Sequence, residues 1–194
     1  MEVGDELGAK KILLQTLQMD PFMIPALQMI SRIHLRRGET DQAVGYMQRA
    51  VEIDRQSTIA HADLAMALIA DKQFTAACKA FDRALQLAPD NILVANNYAW
   101  LLATGPAEVL NGDRAVQLAT HVCETTQFKT PEFLDTLAAA HAESGDLDLA
   151  IDFTRQAMQL HEDMGRHEAV NSLRARLDLY RSGLEYRDPE MQLE

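Results

Sequence analysis

Apolar and polar positions follow a helical period, and large and small residues recur along the chain in a fixed order. In residues 58–91, Leu64 and Phe81 stand beside the small residues Ala65 and Ala77. Small side chains allow two helix backbones to approach closely, whereas larger ones would force them apart. A proline follows the second segment and cannot continue a helix. The stretch predicts two antiparallel helices joined by a tight turn.

The same order returns three more times at a spacing close to 34 residues. The small or short residues that mark the second segments are Ala43 and Ala50, Ala115 and Ala119, and Ala150 and Ala157. In this order and period, from about residue 7 to residue 160, the chain resembles the tetratricopeptide repeat (TPR) superfamily.

The resemblance implies an all-α fold: a right-handed α-solenoid of helix-turn-helix repeats that ends in a C-terminal capping helix. The expected segments are the second helix of a truncated or capping repeat at 1–23, TPR 1 at 24–57, TPR 2 at 58–91, TPR 3 at 92–130, TPR 4 at 131–164, the capping helix at 165–183 and a tail at 184–194.

Residues 1–23 contain one helical segment where a repeat needs two. This segment is either a native cap or the remainder of an array that continues upstream. We favour the second interpretation because Pro21 keeps the repeat phase of Arg55 and Pro89. The run 96–104 and the ending 179–183 are similar to the C-terminal ends of bacterial multi-repeat TPR proteins.

TPR 3 has an insertion at about 104–113, rich in loop-forming residues. It predicts either a tolerated edge loop or a lip that contacts a partner. In the last helix the pattern directs Leu173, Leu177 and Tyr180 inwards. The charged residues Arg174, Arg176, Asp178 and Arg181 are predicted on its other faces. We expect residues 184–189 to fold back as an extended tail and residues 190–194 to fray.

The net charge of −11 changes the range of partners. An acidic chain repels phosphate backbones and anionic membranes, which disfavours nucleic acid and membrane surfaces. No apolar run reaches the length of a signal peptide or a membrane helix, so we expect no membrane insertion and favour the cytoplasm. The favoured partner is a protein or peptide, basic or apolar, with an apolar centre.

Candidate catalytic chemistry is sparse, and we expect no enzyme activity, cofactor or metal. His34, His61 and His141 stand where the repeat usually has aromatic core residues, which predicts core or semi-core positions. The pairs at 161–162 and 167–168 place two histidines six apart, whereas a metalloprotease helix needs them four apart. Cys78 and Cys123 are expected to be small buried residues, with a disulfide requiring close repeats.

In TPR folds the first helices of successive repeats line a concave groove. By this resemblance, the residues after the core positions point into it: Gln28, Arg32, Arg36, Met66, Ile69, Asn96, Asn97, Trp100, Glu132 and Asp135, with Ala62 and Ala139 beside them. The Lys/Asn set that clamps a carboxylate in some TPR proteins is missing. An extended or helical peptide is therefore expected.

Three functions follow as hypotheses. The first is a non-catalytic scaffold that binds a protein segment in the groove. The second is a self-association module, a homodimer formed through apolar residues near the N-terminus that lack a preceding helix. These are Ile12, Leu13, Leu17, Phe22 and Met23. The third is a regulatory or scaffolding domain of a larger multidomain bacterial protein.

Overall fold

A computed structural model describes the backbone of residues 3–192 and the side chains of residues 8–192. Within that part of the chain there are ten α-helices and no strands, which confirms the all-α class. The helices are α1 (Val3–Met19), α2 (Ile24–Arg36), α3 (Thr40–Ile53), α4 (Thr58–Ala70), α5 (Phe74–Leu87), α6 (Ile92–Thr104), α7 (Gly112–Thr125), α8 (Pro131–Glu143), α9 (Leu147–Asp163) and α10 (His167–Arg181).

Short polar side chains fix where several of these helices begin. The side-chain oxygen of Ser57 accepts a hydrogen bond from the N–H of Ala60 at 3.2 Å. Asn91, Asn111 and Asp146 do the same at the starts of α6, α7 and α9. Each bond satisfies an N–H that has no partner within its helix. The helix starts are therefore encoded locally in the sequence.

The first compact unit, unit 1, ends at Pro89 and contains α1 to α5. The helices pack as antiparallel neighbours, α2 on α3, α3 on α4 and α4 on α5. Ala43, Ala65, Ala77 and Phe81 are fully buried there. Small residues lie where the helices meet and a large aromatic fills the space beside them, as the spacing predicts.

Two N-terminal leucines differ from their prediction. Leu13 and Leu17 were expected on an uncovered apolar surface, but each is only 8% exposed. They are buried because α1 packs on α2. Ile12, Phe22 and Met23 remain exposed, as expected for that surface.

The second compact unit, unit 2, begins at Asp90 and contains α6 to α10 and the tail. Helix α8 packs against α6, α7 and α9, and α10 covers α9. In this last helix Leu173, Leu177 and Tyr180 are buried, as the apolar spacing predicts. The position of Arg176 differs from the prediction. It was expected on an outer face, yet its side chain is only 17% exposed and pairs with Asp135 of α8.

The inserted loop between α6 and α7 is packed onto its own repeat. Pro106 and Val109 are buried. The N–H of Asn111 donates to the carbonyl of Leu102 at 2.9 Å. A side chain at Gly105 would bring its Cβ within 2.5 Å of the Leu101 carbonyl, so the tight exit from α6 requires glycine. The loop thus closes over the end of α6, while its residues 107 and 108 remain exposed.

The tail folds back on unit 2, which confirms that part of the prediction. Residues 184–188 belong to no helix or strand, and the N–H of Asp188 donates to the Thr104 carbonyl at 2.9 Å. The expected fraying is wrong for residues 190–192. Met191 is 6% exposed and the Glu190 N–H donates to the Asp188 carboxylate at 3.1 Å. Residues 193–194, also expected to fray, lie outside the described part.

Candidate interaction surfaces of the first helices

In unit 1 the predicted binding residues lie on α2 and α4, which pack against each other. The Gln28 amide donates to the Asp63 carboxylate at 2.6 Å and ties the two helices together. Arg32 is exposed one turn further along α2. Burial raises the pKa of Asp63, although the Gln28 bond and the positive charge of Arg32 oppose that rise. This polar group lies beside an apolar one.

The apolar group of unit 1 is formed by Met66, 43% exposed, and the half-buried Ile69. Arg36, exposed in the last turn of α2, is the other predicted residue. We define the unit 1 surface as Gln28, Arg32, Asp63, Met66 and Ile69. Asp63 was missed by sequence reasoning, which placed the half-buried Ala62 on this face. A carboxylate one position away was the available signal.

In unit 2 the predicted residues lie on α6 and α8, which also pack against each other. Arg176 of α10 brings two of them together. Its guanidinium forms an ion pair with Asp135 and lies 5.3 Å from the centre of the Trp100 ring. Burial raises the pKa of Asp135, although Arg176 lowers it. Glu132, at the start of α8, is paired instead with Arg166 at 2.8 Å.

The tail covers this part of unit 2. The indole N–H of Trp100 donates to the Asp188 carboxylate at 2.9 Å. The rings of Trp100 and Tyr186 are 5.9 Å apart, and the guanidinium of Arg176 lies 4.6 Å from the Tyr186 ring. The Trp100 face predicted for a ligand therefore already contacts a segment of the same chain. Sequence reasoning found the tail but not the residues on which it docks.

The two asparagines differ in their surroundings. Asn97 is exposed. Asn96 is half-buried, one turn before Trp100, and its side-chain oxygen accepts no hydrogen bond from the residues that the structure describes. A buried acceptor without a donor is costly, so an approaching N–H would be favoured at this point.

The histidines lie mostly inside the repeats. His34 is 2% exposed, stacks on Tyr46 at 5.3 Å and has its Nδ1 2.6 Å from the Glu39 carboxylate. His61 is 9% exposed. His141 is half-buried and stacks on Phe153 at 5.5 Å. These positions confirm the core or semi-core interpretation.

Other chemistry is limited in the described part of the chain. His161 lies on α9 and His167 on α10, on either side of a turn. Among the described residues, no three His, Cys, Asp or Glu side chains are grouped as a metal would require. Cys78 and Cys123 do not form a disulfide; Cys123 is buried as expected, whereas Cys78 is only half-buried. Of the helices within residues 3–192, none has the length and apolar character needed to cross a membrane.

Comparisons with known proteins agree with this architecture. Residues 29–92 match the family model described as tetratricopeptide repeat. No curated protein matches the chain by sequence. Among solved structures, MamA is 18% identical with a TM-score of 0.70, covering 86% of this chain and 98% of its own.

Two further solved structures show the same fold. A tetratricopeptide repeat protein from Parabacteroides merdae is 16% identical with a TM-score of 0.76, covering 93% of this chain and 68% of its own. YrrB, described as a TPR protein with an unusual peptide-binding site, is 14% identical with a TM-score of 0.69, covering 89% and 85%. The helix pairs and these structures show that the chain has the fold of tetratricopeptide repeat proteins, and residues 29–92 match the family model itself.

Proposed function

We propose that the chain is a non-catalytic scaffold that binds an extended segment of another protein on the unit 1 surface. TPR proteins are generally interaction scaffolds without catalytic activity, so the fold supports the general class. The finer proposal depends on one observation. Met66 and Ile69 present an apolar centre beside the polar group of Gln28, Arg32 and Asp63.

This arrangement suits a peptide with an apolar side chain at its centre. Met is flexible and polarisable, so it adapts to apolar side chains of different shape. The Arg32 guanidinium can bind a carboxylate or carbonyl oxygen of the same segment. Asp63 can accept a hydrogen bond from a peptide N–H. An apolar centre with polar groups beside it is the usual composition of a specific interface.

The proposal is tested by placing a charge in the apolar centre. We expect Met66→Asp to abolish most partner capture from a lysate of the source organism, quantified by mass spectrometry against the wild type. Burying an unpaired carboxylate at an interface disfavours binding. Met164→Asp is the matched control, because Met164 is 48% exposed in the turn after α9. Equal capture by both variants and the wild type would exclude the unit 1 surface.

Self-association is the second candidate, favoured by exposed apolar side chains at the N-terminal end of unit 1. Ile12 is 63% exposed, Met19 88% and Phe22 70%. Apolar side chains exposed together often mark an interface. We expect a dimer by light scattering, and Ile12→Lys/Phe22→Lys should shift the equilibrium to monomer. A monomer at every concentration tested would remove this candidate.

A further inference from the structure

The tail of unit 2, residues 184–192, contacts α6, α8 and α10 in the way that a bound peptide would. Its main chain meets the end of α6, where the Asp188 N–H donates to the Thr104 carbonyl at 2.9 Å. Thr104 is the last residue of α6, so its carbonyl accepts no hydrogen bond from an N–H of the same helix. An extended segment that offers an N–H at this point satisfies it.

Three successive side chains of the tail each have their own partner on the surface. The centre of the Tyr186 ring lies 5.9 Å from the centre of the Trp100 ring and 4.6 Å from the Arg176 guanidinium. The Arg187 guanidinium lies 2.7 Å from the Glu143 carboxylate. The third side chain, Asp188, accepts the indole N–H at 2.9 Å. The surface therefore recognises an aromatic, a basic and an acidic residue in that order.

The receptor side is held in place by residues other than the tail. Asp135 of α8 fixes the Arg176 guanidinium through an ion pair. Trp100 and Glu143 lie on α6 and α8, which pack against each other in unit 2. Groups that are already ordered lose little freedom when a segment binds to them. The surface thus has the fixed partners of a binding site and not merely those of a frayed end.

We propose that Trp100, Glu143, Arg176 and the Thr104 carbonyl form a binding site for an extended segment of a partner protein. That segment carries an aromatic, a basic and an acidic residue in succession, and the tail is its resident occupant in the same chain. The inference rests on the proposed scaffold function and names a partner chemistry for unit 2. The tethered tail competes at an effective concentration of about a millimolar. A partner segment must therefore bind more tightly than the tail does in order to displace it at lower concentrations.

The contacts of the tail are of a kind that a competitor can replace. Most of them are partly buried hydrogen bonds and ion pairs, with the Arg187 side chain 34% exposed. The apolar part comes from Met191, which is 6% exposed, and from Tyr186, which is partly buried against the cluster of Ala138, Ala142, Ala150 and Tyr180. Exchange therefore needs a segment with its own aromatic side chain.

The test uses a fluorescein-labelled peptide of residues 183–192 and the full chain, followed by fluorescence anisotropy. In the wild type the resident tail competes, so binding is weak. In Tyr186→Ala/Asp188→Ala the tail is released, and we expect the peptide to bind at least tenfold more tightly. Emission from Trp100, the one tryptophan of the sequence, reports release of the tail and docking of the peptide.

Matched variants show whether the peptide occupies the proposed site. Glu143→Gln in the released background should weaken peptide binding at least fivefold. Glu132→Gln should leave it unchanged, because Glu132 is on the same helix but pairs with Arg166. If the double variant does not fold, Asp188→Ala alone should give a peptide affinity between those of the wild type and a released site.

Two results would overturn the proposal. One is a folded released variant that binds the peptide no better than the wild type does. The other is a wild-type dimer by light scattering that the tail substitutions dissociate, because the site would then serve a second copy of the chain. The capture experiment on Met66 uses a different surface, so its failure would not be mistaken for either result.

Discussion

Cys78 and Cys123 differ in how far solvent and reagents can reach their sulfur atoms. Cys78 is half-buried on α5, whereas Cys123 is fully buried on α7. Burial raises the pKa of the Cys123 thiol to about 12. The thiolate is the reactive form, so this side chain is protected both by its charge state and by its surroundings.

We expect one fast-reacting thiol per folded chain with a disulfide reagent at pH 8. At a pKa of about 12, only about one Cys123 in ten thousand is a thiolate at that pH. Cys78→Ala should therefore leave a chain that reacts only after denaturant is added, and Cys123→Ala should keep the fast reaction. Rapid labelling of native Cys78→Ala would contradict the burial of Cys123.

Sequence spacing also predicts only in part which individual residues of a helix face a surface. The spacing places Gln28, Arg32 and Met66 on first-helix faces, where they are half-buried or exposed. It does not distinguish Ala62 from Asp63, which are adjacent and both half-buried. It also misplaces Arg176, whose partner Asp135 is distant in sequence. Periodicity gives the face of a helix, while pairing across helices depends on the packed structure.

At the scale of helices, the start of α7 shows how closely the elements approach each other. A Cβ on Gly112 would lie 2.6 Å from the Ser144 backbone nitrogen and 2.8 Å from the Glu143 carbonyl carbon. These atoms belong to the turn between α8 and α9, and backbone atoms cannot move aside as a side chain can. Glycine is required here for proximity, although the helix itself would accept alanine.

Two glycine substitutions should therefore have opposite effects on stability. We expect Gly112→Ala to lower the free energy of unfolding by about 1–3 kcal/mol through the backbone clash. Gly45→Ala is the control, because Gly45 lies within α3 and a Cβ there meets nothing within 4 Å. It should raise the free energy of unfolding by about 0.5–1 kcal/mol. Urea denaturation followed by circular dichroism measures both, and a neutral Gly112→Ala would contradict the close approach.

Helices of this chain are predictable from sequence because their signals are local. Small residues at helix contacts, N-terminal caps and prolines all act within a few positions. The docking of the tail is not local, since Asp188 bonds to Trp100 and Thr104. The packed loop at Val109 is likewise decided by contacts with its own repeat. Sequence therefore predicts the repeats but not which part of their surface the chain itself covers.

For the whole molecule, the excess of acidic residues governs long-range interactions. The net charge is −11, from 18 basic and 29 acidic side chains. A field of this sign repels the phosphates of DNA and RNA and attracts basic segments. It acts before any contact forms and weakens as salt is added.

We expect no specific binding to nucleic acid. A labelled mixed-sequence duplex and its single strand should show dissociation constants weaker than about 10⁻⁴ M in physiological salt, the weak end of non-specific binding. Fluorescence anisotropy measures this, with a basic DNA-binding domain as the positive control. Submicromolar binding that weakens steeply with salt would contradict the expectation.

The order in which the chain is synthesised gives the tail a further consequence. Residues 184–188 leave the ribosome after all five helices of unit 2, and domains can fold as they emerge. Until residues 184–188 have been synthesised, the indole N–H of Trp100 lacks its Asp188 acceptor and can bond to water. During that interval a nearby protein can reach the surface without having to displace anything. Timing during translation, as well as affinity, would then decide which segment first occupies unit 2.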